Sequence, residues 1–229
     1  MAQAAFRPSV RGPTFIRLLA RLAEIDVAAP GQSLPDRLGG WLDWTQALSL
    51  AAALDSAAAT PDTAAAAPDD LAAECARVRD TLLAAIHHEP LLAAGSTAAG
   101  DADFAPYRQA YLARQRAMQA SVGRLRGRLR DALLQLPARP GHPDAAPARL
   151  AEVDAVMEVA LTPREHGLLA RVPDLLARRF ERLHAAGEPH RLDLFRREMQ
   201  SVLLAELDLR FQPVDALLAA LRTHQESAC

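Results

Sequence analysis

The residues with most chemical promise in this chain are arginines, and their densest run is GRLRGRLRDALLQL, residues 123–136. Guanidinium groups grip phosphate through charge-assisted forks, so Arg124, Arg126, Arg128 and Arg130 are candidate nucleic-acid contacts. The other reactive types are sparse. His87-His88-Glu89 offers metal-ligand chemistry, but adjacent helical residues point about 100° apart, and no H-E-x-x-H spacing is present. Glu165-His166 pairs an acid with a base beside a helix start, where an acid favours the helix dipole without any catalytic role. Cys75 has no C-x-x-C partner and reads as a small buried apolar residue, and Cys229 stands at the extreme C-terminus. The glycines form neither a P-loop nor a dinucleotide fingerprint, and G-x-S-x-G is absent. On these grounds no catalytic residue, cofactor or metal is assigned, and the chain is read as a non-enzyme.

The elements that must position these residues are helical almost throughout, because β-branched runs are missing and apolar residues recur at helical spacing. Thr14–Asp26 is amphipathic, with Phe15, Leu18, Leu19 and Leu22 opposite Arg17, Arg21 and Glu24. Packing on a bundle is favoured for it over a membrane surface. Ser33 and Asp36 mark a helix start, and Gly39-Gly40 a break. Trp41 and Trp44, three residues apart, are expected on one face of one helix with Leu48, as core or as a partner-binding hot spot. Stretches 57–68, 90–103 and 137–148 are Ala-, Gly- or Pro-rich connections. Thr162-Pro163-Arg164-Glu165 reads as cap, first-turn proline and capping-box acid, and Pro173 and Pro213 each open a further helix.

The central element spans 104–136. Met118, Val122, Leu125, Leu129, Ala132 and Leu136 are separated by 4, 3, 4, 3 and 4 residues, the rhythm of a heptad seam. On that wheel Arg126 and Arg128 flank the seam, Arg124 and Arg130 fall on the far side, and Gly127 lies opposite it with Gly123 nearby. Two mid-helix glycines cost about 1 kcal/mol each against alanine. Close approach of a second helix explains them, and the expectation is a helix rather than a phosphate against Gly127.

Composition tempers the arginine signal. All 26 basic residues are arginine, lysine and asparagine are absent, and alanine abounds, a pattern that GC-rich bacterial codon usage produces by itself. Net charge is −2, yet residues 104–130 hold seven arginines and no acid. Acids elsewhere, mainly in 1–103 and 131–163, are therefore the expected partners of this basic rod. The N-terminal stretch has no continuous apolar run like that of a secretory signal, and ALSLAAAL (47–54) is too short to span a bilayer. A cytoplasmic location is expected.

Two segments, LPDRLGGWLDWTQALSLAAAL and REHGLLARVPDLLARRFERLH, carry a resemblance. With Trp41 and Trp44 as its most specific residues, the chain resembles a proteobacterial family known only as domain of unknown function 3348. The resemblance implies no activity, catalytic residue or cofactor. It does imply a gene setting beside a stator-type proton channel with a coiled-coil tail and an OmpA-like envelope protein, and hence a cytoplasmic accessory role.

The sequence thus predicts an all-α helical bundle with one long central amphipathic helix and Ala/Pro-rich linkers. Its regions are 1–136, containing the basic helix 104–136, a Pro-rich linker 137–148, and 149–229. The expected function is that of an interaction or adaptor protein. Val122, Leu125, Leu129 and Leu136 pack against a helix of the same bundle, a second copy or another helical protein, Arg126 and Arg128 select acidic neighbours, and Trp41 and Trp44 mark a further contact. Nucleic-acid binding through the arginine helix is the alternative.

Overall fold

The computed structural model describes residues 13–25, 31–55, 68–93, 103–136, 146–187 and 190–226. Among them there is no strand, and the chain is an all-α bundle. In order the helices are α1 (Thr14–Ala23), α2 (Leu34–Gly39), α3 (Trp44–Asp55), α4 (Pro68–His87), a 3-10 turn (Pro90–Leu92), α5 (Ala105–Leu134), α6 (Ala146–Leu169), α7 (Val172–Ala186) and α8 (Arg191–Glu226). The linker positions 57–67, 94–102 and 137–145, and Cys229, lie outside the described residues.

Local chemistry sets the ends of these helices. Ser33 accepts from the Asp36 amide at 3.3 Å and caps α2. A capping box starts α3: Asp43 accepts from the Gln46 amide at 2.7 Å, while Gln46 accepts from the Asp43 amide at 3.1 Å. Gly187 closes α7 with a left-handed φ of 65°. The two remaining internal prolines behave otherwise than expected. Pro163 lies within α6, and Pro213 lies within α8, whose 36 residues make it longer than α5. The Thr162 hydroxyl, expected to cap a new helix, instead donates to the Glu158 carbonyl at 2.6 Å. Around Pro213 the buried Phe211 and Val214 carry α8 past the lost N–H, whereas α6 runs on through Pro163 with residues 163–168 exposed.

α5 is the axle, 30 residues and so about 45 Å long. Its buried side chains Tyr107, Tyr111, Gln115, Met118, Val122, Leu125, Leu129 and Ala132 continue the heptad rhythm upstream through Gln115. α8 covers this stripe most extensively, with α6 and α4 also against α5. One apolar core therefore contains residues from both sides of the 137–148 stretch. At one end Tyr107 and Phe180 meet Phe195 edge-on, each with ring centres 5.2 Å apart. α1 seats Phe15 and Leu22 against α7 and α8, as expected of a packed amphipathic helix.

Candidate functional site

The seam of α5 is occupied within the chain. Val122, Leu125 and Leu129 are buried in the common core, and Leu136 is half-buried against it. Fully burying such side chains stabilises by about 1.5–3 kcal/mol each. Of the three places expected for the partner helix, the structure gives the chain's own bundle, and a homodimer through this seam would require the bundle to open.

The arginine flanks are engaged as well. Arg126 grips Asp154 of α6 with its Nε at 2.8 Å and an Nη at 2.7 Å, a two-pronged contact, and stands 3.5 Å from Glu158. Arg130 bonds the same two acids. It does not lie on the far side: residues 126 and 130 are one turn apart and share the flank that α6 covers, which a one-seam wheel leaves open. Arg128 pairs with Glu74 of α4 on the opposite flank. Among the described residues Arg124 reaches only the Ser121 hydroxyl, at 3.2 Å. Further up α5, Arg108 meets Asp174 and Arg114 meets Glu89. Gly127 corrects a further expectation, because a Cβ added there meets nothing within 4 Å. No helix among the described residues lies against it, and the same holds at Gly123.

The two tryptophans do not share a helical face. The Asp43–Gln46 capping box begins α3 at Trp44 and leaves Trp41 in the preceding turn. Trp41 is half-buried, its ring centre 5.6 Å from the Arg164 guanidinium carbon. Trp44 is 78 % exposed and Leu48, one turn on, 54 %. Ala47 and Ala51 are exposed too, so the outer face of α3 presents Trp44, Ala47, Leu48 and Ala51 at i, i+3, i+4 and i+7. Its inner side, with Ala53 buried, packs on α6.

Beside Trp41 a cleft of about 830 Å³ opens between α5, the second half of α6, and α8. Its apolar wall comes from Trp41, Val122, Leu161, Leu168, Leu209 and Pro213. Arg210 reaches it from a buried polar network that the sequence reading missed. Glu206, fully enclosed, accepts from the Tyr111 hydroxyl at 2.6 Å, from Gln115 Nε2 at 3.1 Å and from Arg210 Nε at 2.9 Å. Arg210 continues to Glu165 at the cleft, at 2.9 Å. Burial foremost, then the adjacent Glu206 charge, pushes the Tyr111 hydroxyl well above its ordinary pKa. One signal for this network was visible: Gln115 interrupts an otherwise apolar stripe, and a polar residue at a seam position needs a buried partner.

His166 also lines the cleft, while Glu165 turns to Arg210. No hydrogen bond joins His166 to an acid or hydroxyl side chain among the described residues. Those residues hold no group of three or more His, Cys, Asp or Glu placed to bind a metal. Cys75 is buried, and burial first, then the nearby Glu74 and Asp215 charges, raises its thiol pKa. No helix among the described residues is long and apolar enough to cross a membrane.

No curated protein and no solved structure matches this chain. A family model does match, over residues 1–223, nearly the whole chain and well beyond the two segments that carried the resemblance; its description is protein of unknown function (DUF3348). The chain belongs to that family.

Proposed function

We propose that this protein is a non-enzymatic helical adaptor that docks a partner α-helix on the outer face of α3. The observation that carries the reading is the apolar stripe Trp44, Ala47, Leu48, Ala51 on the solvent side of a helix whose other side is already packed. Water-facing helix sides are ordinarily polar, and tryptophan is enriched where partners bind. The small Ala47 and Ala51 beside Trp44 and Leu48 let a second helix approach closely, in the manner of an amphipathic helix read through i, i+3, i+4 and i+7 anchors. The internal ion pairs of Arg126, Arg128 and Arg130 leave the arginine helix less charge to offer phosphate.

A coiled-coil segment of the stator-type channel assembly implied by the family resemblance is the first partner to test, from the cytoplasmic side. Affinity purification from cells that make the protein, comparing wild type with Trp44→Glu/Leu48→Glu, decides the matter. Both residues are exposed, so the variant keeps its melting temperature and loses a specific partner that wild type retains. Recovery of the same proteins with both forms, or of none with either, refutes the reading.

A further inference from the structure

We infer that the cleft between α5, α6 and α8 is a binding site for a small amphiphilic anion, an apolar body ending in a carboxylate or phosphate. The inference is independent of the α3 docking face. About 830 Å³ lies within the roughly 300–1,000 Å³ of small-molecule sites. The sequence keeps that space open at its walls: Gly123 of α5 and Gly167 of α6 both line the cleft, and a Cβ at either meets nothing within 4 Å. Pro213, on the α8 wall, supplies no N–H for the Leu209 carbonyl one turn back.

Charge then sets the class of ligand. Four arginines face the cleft: Arg126, Arg164, Arg171 and Arg210. Arg126 and Arg210 are held by Asp154, Glu158, Glu206 and Glu165. Arg164 and Arg171, at the end of α6 and just beyond it, form no ion pair among the described residues. Both acids of the cleft, Glu158 and Glu165, are already paired, so the remaining charge is cationic. The apolar wall of Trp41, Leu161, Leu168, Leu209 and Pro213 buries the ligand's body, with the Trp41 ring as its flat surface. Guanidinium groups favour a carboxylate or phosphate over a neutral head.

Trp41 reports occupancy once Trp44→Phe removes the only other tryptophan. Titrating that protein with decanoate, decyl phosphate and decanol, each below its micelle concentration or solubility limit, distinguishes the head groups. The expected result is saturable binding of decanoate or decyl phosphate with a change in Trp41 emission, the tighter of the two identifying the head. Decanol and the Arg164→Gln/Arg171→Gln variant each weaken binding by at least about tenfold, the worth of one charged hydrogen bond. Gly123→Leu fills the cleft with a better helix former, so binding vanishes while thermal stability is kept. Leu168→Glu, on the exposed rim, gives the same loss without touching the core. Decanol binding as tightly as the anions overturns the inference. So does binding unchanged in Gly123→Leu and Leu168→Glu, or no binding of any probe.

Discussion

Replacing Glu206 with glutamine removes the negative charge from the most enclosed acid of the fold while keeping its shape. The Arg210 side chain is only 6 % exposed, and it loses the partner that holds its Nε at 2.9 Å and an Nη at 2.8 Å. Removing one member of a buried pair costs about 3–5 kcal/mol, because the other is left uncompensated. Glu165 remains 2.9 Å from Arg210, but it is half-exposed and screened by water. The amide oxygen introduced at this position still accepts from Tyr111, so the lower end applies, about 3 kcal/mol. A chain of this length shifts its melting temperature by about 2–4 °C per kcal/mol, which gives a fall of roughly 6–12 °C. Urea unfolding with an unchanged m-value reads the loss directly. Adding Arg210→Met to Glu206→Gln removes the stranded charge and recovers at least about 1 kcal/mol. A loss below about 1 kcal/mol in the single variant, or strictly additive losses in the double, refutes the view of Glu206 as the buried anchor of Arg210.

The other predictions concern α5 and its surroundings. Gly127→Ala raises stability by about 0.5–1 kcal/mol, because the added methyl enters open space in mid-helix; a loss on urea unfolding would mean that something does approach that face. Arg126→Ala removes a two-pronged, largely covered contact and leaves Asp154 to Arg130 alone, at a cost of about 1.5–3 kcal/mol, while Arg128→Ala at an exposed pair costs about 0–1 kcal/mol. Parallel chemical melts separate the two. The raised Tyr111 pKa means that the native state holds that proton more tightly than the unfolded chain, whose value is about 10. Its contribution is therefore complete below about pH 10 and is lost as pH rises through the higher folded value. Raised in the same sense from 9.0, Cys75 begins to withdraw its share lower on the scale. Melting temperature against pH falls on the alkaline side, and Tyr111→Phe removes the upper part of that fall at a cost of about 1–3 kcal/mol at neutral pH.

Much of this fold was legible because helical periodicity is a local property. The α5 seam, the Ser33 cap of α2, the α7 start at Pro173 and its end at Gly187 all follow from residues within a turn or two of one another. The misplacements arise where tertiary contacts outrank local rules. Pro163 and Pro213 are good helix openers in isolation, yet α6 and α8 run through both, with Phe211 and Val214 buried on either side of Pro213. Asp43 and Gln46 form a capping box with Asp and Gln in place of the usual Ser/Thr and Glu, and it separates Trp41 from Trp44. A heptad wheel puts Arg130 on the far side because it assumes one neighbour, whereas α5 has helices on several flanks. The cleft was not legible at all. Gln119, Leu161, Arg171 and Leu209 belong to three distant segments, and only the crossing of α5, α6 and α8 brings them together.

The proposed docking of a partner on the outer face of α3, and not on the arginine helix, can be read out inside the cell. In-cell photocrosslinking tests it most directly, with the crosslinking residue placed at position 44 and, in separate proteins, at positions 124 and 127. The expected result is one discrete protein adduct from position 44, lost when Leu48→Glu is added, and no specific adduct from the α5 positions. A specific protein or nucleic-acid adduct from position 124 or 127, with none from position 44, would contradict it.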